Sequence, residues 1–228
     1  MEPINRQESE MPQVSFAIID IESSGLDVDS NMILEVGILL LDLQLNEVGR
    51  YQSAVVDEHA IGYLNYLEQL AEDARQRPSE EPWKGGKIVH EMHQKSGLAA
   101  DIRNAFAAGT RRSMYNVEVG AVEFLRKHGI DAANGKRALP MVGSSVHFDR
   151  KFIERYMPVL NATFHYRNID VSTIKGITDL LRADVVEARQ RQLKPQARHR
   201  VIDDCLDTRN ELAFYLNTYF TKEATSRV

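Results

Sequence analysis

The chain has 228 residues, 43% of them hydrophobic and 27% charged, which suits one α/β domain with a real core and a soluble surface. A net charge of −5 argues against a protein that grips long duplexes through a broad basic face, although not against a nucleic-acid enzyme whose metals meet the phosphate. The single cysteine, Cys205, excludes an intrachain disulfide and fits a reducing compartment; its setting reads as the buried side of a helix.

Residues 1–12 are polar and carry Glu2, Glu8 and Glu10, without a basic start or an apolar run, so no signal peptide is expected there. The reading is a disordered N-terminal tail over 1–12, one domain over 13–220 and a C-terminal tail over 221–228. Three strands are predicted first, at Val14–Glu22, Met32–Asp42 and Val48–Val56, joined by short polar connections as an antiparallel meander. The greasiest stretch, Met32–Leu41, is short and interrupted by Glu35; it reads as a buried strand, not a membrane span. Helical spacing follows, with Tyr63, Tyr66, Leu67 and Leu70 as the apolar stripe. Pro78, Pro82, Gly85 and Gly86 mark a loop. Asn116 is placed to cap a helix through Val117–His128, with Glu118 in its first turn.

Leu139–Gly143 reads as a short buried strand, and Phe148, Phe152 and Tyr156 form the stripe of a helix closed by Pro158. Ile169–Thr173 is a further strand followed by a helix, and the last long helix runs from about Ile202 to Phe220. Strands first, then strands alternating with helices, predict a mixed sheet covered by helices.

Within the first strand, Asp20 and Glu22 are two residues apart and share a face at the end of an apolar row. Carboxylates so close repel unless a cation sits between them, and Mg²⁺ and Mn²⁺ prefer such hard oxygen ligands. Two other segments offer partners. Asp149 lies after a strand at the head of a helix, where capping explains it about as well as catalysis. In His199-Arg-Val-Ile-Asp-Asp204 a loop histidine precedes two acids of a helix's first turn; His199 reads as a polar loop residue or a base, and Asp203 as an N-cap. Taken together, four carboxylates and one histidine match the two-metal phosphoryl-transfer arrangement, in which an imidazole takes a proton near neutral pH.

These residues resemble the DEDDh class of 3′→5′ exonucleases with the DnaQ-like, RNase H-like fold, and within it the oligoribonuclease family. The resemblance spans about Val14 to Phe220 and includes Met92-His-Gln-Lys-Ser-Gly-Leu98, Gly143–Pro158 and His165-Tyr-Arg-Asn-Ile-Asp-Val-Ser-Thr-Ile-Lys175. It implies a mixed five-stranded sheet flanked by helices. Asp20, Glu22, Asp149 and Asp204 match the metal-binding acids for two divalent ions, Mg²⁺ or Mn²⁺, and His199 matches the general base. Leu26 matches the wedge against the terminal bases; Ser145, Arg167 and Ser172 match a polar cap on the 5′ phosphate of a very short RNA. Tyr166 and Arg167 would act across the interface of a homodimer. The implied activity is trimming of short RNAs, down to dinucleotides, to 5′-mononucleotides in the cytoplasm, with no membrane involved. A broader exonuclease on longer RNA or single-stranded DNA, and an inactive nucleic-acid-binding module, are the alternatives.

The chain departs from the family pattern at Ser144, where Asn is usual, and at Val201 and Ile202, where Ala-Leu is usual. Ile88 stands where a base-stacking aromatic is expected, and Trp83 lies further back; either the aromatic has shifted or the contact is absent. Arg189–Arg200 holds five basic residues and reads equally as a phosphate grip or a solvated loop. His147 ranks below His199 as a base. Asp170 reads as structural, and Glu35, Asp42 and Asp57 as ordinary strand or turn acids.

Overall fold

A computed structural model describes residues 13–76, 81–131, 138–194 and 198–220, with the side chains of 81–85 also outside the description. The expected tails, 1–12 and 221–228, lie outside the described residues, as does Pro78. Five strands form one sheet in the order β3-β2-β1-β4-β5. They are β1 (Phe16–Ser23), β2 (Ile33–Leu41), β3 (Glu47–Ala54), β4 (Pro140–Gly143) and β5 (His165–Asp170). β1, β2 and β3 pair antiparallel, as the meander predicted; β4 runs parallel to β1, and β5 parallel to β4. The mixed five-stranded sheet flanked by helices is therefore the observed fold.

Helices cover both faces, which is why β2 reads ILEVGILLL and is buried along its whole length. On one face Ile19, Ile21, Val36, Ile38 and Leu40 pack with α1 (Glu58–Gln76), α3 (Leu98–Ala107), α4 (Met114–Lys127) and α5 (Val146–Tyr156). On the other, Ile18, Leu39, Leu41 and Val142 pack with Val171 of α7 (Val171–Leu181) and with Cys205, Leu212 and Tyr215 of α9 (Val201–Tyr219). Cys205 is the buried helical thiol the sequence suggested.

Several elements differ from expectation. Pro82, Gly85 and Gly86 belong to helix α2 (Glu81–Lys95), not a loop. Proline is tolerated in a first helical turn, and Gly86 lets α2 approach α1, since a Cβ there would lie 2.5 Å from Leu70 Cδ1. The buried stripe of α1 is Ala60, Leu64, Leu67, Ala71 and Ala74, while Tyr66 faces solvent. Ser113, not Asn116, caps α4: Asn116 sits at the third helical position and completes a reciprocal capping box. Glu118 is buried and accepts from the Val159 and Leu160 N–H groups (2.7 and 3.1 Å), so it caps the short α6 (Pro158–Ala162) rather than its own helix. The last strand is His165–Asp170, so His165-Tyr166-Arg167 lies on it; α7 begins at Val171, with Asp170 accepting from Ser172 N–H as its N-cap. The run 189–192 belongs to helix α8 (Ala183–Gln192), not a loop. Among the described residues no helix is long and apolar enough to cross a membrane.

Candidate active site

The site forms at the carboxyl ends of β1, β4 and β5, where open α/β sheets hold their ligands. Asp20 and Glu22 lie on β1 with their side chains on the α9 face, the same parity as Ile18. Their partners across the antiparallel ladder are Gly37 and Glu35 of β2. Gly37 is what allows α9 to come close: a Cβ there would lie 2.6 Å from Val201 Cβ. Val201 opens α9, so Asp204, one turn on, reaches the same space. Oxygens of Asp20, Glu22 and Asp204 lie within 4.8 Å of one another.

Asp149 approaches from the opposite side, in the first turn of α5. Its Oδ1 accepts the Ile21 N–H at 3.0 Å, a bond that ties α5 to β1 between the two strand acids. The sequence leaves capping and catalysis open for Asp149; the capping position is occupied by Ser145. Ser145 is left-handed (φ 58°), rare for a residue other than glycine. Its N–H donates to Asp170 Oδ1 (2.9 Å) and Ser172 Oγ (3.1 Å). Ser145 and Ser172 are thereby neighbours, their hydroxyls 3.3 Å apart, and Asp170 is the structural acid the sequence suggested.

The acids strain against their surroundings. Burial, then the charges of Asp149 and Asp204, push Asp20 well above the ordinary carboxylate range. Glu22 is pushed from 4.5 to about 8 by burial, then by Asp204 and Glu35, with Arg200 opposing. Burial pushes Asp149 to about 7 against the Ile21 hydrogen bond. Burial likewise pushes Asp204 to about 6 against the favourable field of His199. Such a cluster is a poor home for four anions and a good one for cations. Asp20, Glu22 and Asp204 supply the compact all-oxygen donor set that Mg²⁺ or Mn²⁺ takes, and they fit such an ion.

His199 precedes α9 with φ 49°, and lines one cavity of about 790 Å³ with Asp20, Asp204, Ser144 and Lys175. His147 instead points to solvent, 4.0 Å from Asp170 Oδ2. Leu26 is 82% exposed on the turn after β1, and Tyr166 is 73% exposed on the edge strand β5. The Arg167 guanidinium sits 5.4 Å from the Tyr166 ring centroid. Of the basic stretch, Arg189 is held by Asp179 (2.8 Å) and the Tyr215 hydroxyl (2.6 Å), and Arg200 by Glu35 and Asp101. Residues 195–197 and the Trp83 side chain lie outside the described residues; Ile88 is exposed on α2.

Two residues escaped the sequence reading. Glu35 is no ordinary strand acid; it is 2% exposed beside Glu22, and a charge inside an otherwise apolar run was its signal. His93 is 1% exposed, with Nε2 2.8 Å from Ser23 O. A carbonyl only accepts, so Nε2 carries a proton. Nδ1 has no hydrogen-bond partner and lies 3.8 Å from Glu22 Oε2. Burial lowers the imidazole's pKa, in keeping with a neutral ring. Its signal was the segment Met92–Leu98.

Comparison with known proteins bears on this geometry. The exonuclease family model RNase_T matches residues 108–212. The chain is similar to the oligoribonuclease of Marinobacter nauticus, 34% identical over 202 residues that cover 89% of this chain and 94% of that protein. It is similar to the oligoribonuclease of Acinetobacter baylyi, at 32% identity over 90% of this chain and 93% of that one. That of Mycolicibacterium paratuberculosis is 30% identical over 89% of this chain and 80% of its own length.

Proposed function

Since the chain belongs to the oligoribonuclease family, we propose that its carboxylate cluster hydrolyses short oligoribonucleotides, down to dinucleotides, from the 3′ end to 5′-mononucleotides. The observation that carries this reading is the convergence of Asp20, Glu22 and Asp204, with oxygens within 4.8 Å, beside a cavity that Asp20, Asp204 and His199 line together.

Asp20, Glu22 and Asp204 would hold two divalent ions, Mg²⁺ or Mn²⁺, with Asp149 completing the shell partly through water. Ions so held supply water activation and charge neutralisation at the leaving oxygen. His199 takes the proton of the attacking water, a role suited to an imidazole near neutral pH. His93 braces the turn after Glu22 through Ser23 O and presents a neutral face to that carboxylate. Leu26, exposed beside the site, is shaped to pack against a terminal base. Ser145 and Ser172, already in contact, form half of a cap for the 5′ phosphate. Arg167 would complete it from a second protomer, with Tyr166 packing across the interface of a homodimer; both stand exposed on the edge strand, which supports that reading. The buried free thiol of Cys205 fits a reducing, cytoplasmic setting.

Product lengths over time on a labelled RNA ladder, with Mn²⁺ present, test the proposal. Conversion of dinucleotides to mononucleotides is expected, and it should vanish in Asp20→Ala and His199→Ala. Accumulating dinucleotides would exclude it, and full activity in either variant would sink the mechanism.

A further inference from the structure

Arg200, at the head of α9, links that helix to β2 and to α3. Its Nη2 and Nε donate to Glu35 Oε1 and Oε2 (2.9 and 3.2 Å), and its Nη1 to Asp101 Oδ2 (2.8 Å). Glu35 is buried on β2, where Gln52 Nε2 also donates to Oε1 (2.9 Å); Asp101 belongs to α3. A planar guanidinium fork meets these two carboxylates at once, which the point charge of lysine does not. The grip has a consequence one residue earlier. His199 holds φ 49°, a left-handed backbone that persists only where neighbours over-determine it. On its carboxyl side those neighbours are Arg200, clamped and extended (φ −135°, ψ 130°), and Val201, seated over Gly37.

We infer that Arg200 is a positioning residue for the hydrolysis. Its bridge from Glu35 to Asp101 holds His199 in the left-handed conformation with which it lines the cavity of Asp20 and Asp204. Three of its five N–H donors are engaged by Glu35 and Asp101, and its role runs through His199. The inference rests on His199 serving as the general base.

The test uses full-length protein with a dinucleotide and Mn²⁺, comparing wild type, Arg200→Lys, Arg200→Gln and the pair Glu35→Gln/Arg200→Gln. The double variant removes the unpaired buried carboxylate that Arg200→Gln alone leaves, and so separates lost stability from lost positioning. Arg103→Gln, which removes an exposed contact to Glu68 and Asn65, serves as the unaffected comparator. A fall in kcat of about 100-fold with little change in KM is expected in all three Arg200 variants, without rescue by lysine. Amide exchange in the metal-free protein should rise at 198–201 and stay unchanged in β1 and β2. Wild-type protein that leaves dinucleotides intact would overturn the hydrolase reading and this role with it. Active wild type with unaltered kcat in Arg200→Lys and the double variant overturns the positioning role alone. So does a raised KM at constant kcat, or unchanged exchange at 198–201.

Discussion

Val201 occupies the space that a side chain on Gly37 would fill, so the approach of α9 to β2 depends on the smallest residue standing across the ladder from Asp20. Gly37→Ala should force the first turn of α9 outward. Overpacking of this kind costs about 1–3 kcal/mol, readable as a lower melting temperature. Activity should fall further than stability does, by about 100-fold for a 1 Å displacement of Asp204 from Asp20. A variant that melts lower but turns over normally would show that α9 adjusts without moving Asp204.

Asp204→Asn keeps the size of the side chain and removes one of the three clustered carboxylates. Calorimetric titration with Mn²⁺ should show binding weakened by at least about tenfold, and chelation of the wild type should abolish turnover reversibly. Unchanged Mn²⁺ affinity would move the centre away from α9.

The pH dependence of the metal-free protein follows from the raised carboxylates. Glu22 and Asp149 titrate near 8 and 7 when folded, against 4.5 and 3.8 ordinarily. Between those limits the folded state binds more protons than the unfolded one, so stability falls as pH rises from about 4 to about 8. Melting temperatures in chelator should decline across that window, and saturating Mg²⁺ should restore more stability at pH 8 than at pH 5. A metal-free protein that grows more stable over the same range would contradict the burial of these acids.

If Arg167 serves the partner's substrate, two crippled proteins should repair each other. Asp20→Asn lacks the metal ligand and Arg167→Ala lacks the cap. In a mixed dimer one site pairs an intact carboxylate cluster with an intact Arg167. Mixing after subunit exchange should return about a quarter of wild-type activity, one site in two within the half of the dimers that are mixed. Tyr166→Ala should shift sedimentation toward the monomer. No recovery on mixing, with exchange demonstrated by mass, would place Arg167 in its own protomer's site.

Sequence pattern located the parts that obey simple periodicities. The three opening strands were legible because short polar connections separate them and the first two are largely apolar, and Asp20 and Glu22 because a strand puts alternate residues on one face. Asp149 was ambiguous, since an acid at a helix start has a local explanation; only the long-range bond to Ile21 N–H shows where it points. Glu35 was misjudged because nothing local reveals that Arg200, 165 residues away, neutralises it. Glu118 was misassigned for the same reason, since it serves a helix forty residues on, whereas the serine three residues before Asn116 was a local signal for the true cap.

The carboxylate cluster draws its members from residue 20 and from residue 204, with α9 laid directly on β1 and β2. Local meander pairing forms early and cheaply, while a contact between such distant segments waits for loop closure. A nascent chain emerging from the ribosome can therefore build most of its sheet and still have no ion site. Under the proposed mechanism hydrolytic competence would arrive only with α9, and a half-made molecule would be inert toward the RNA around it.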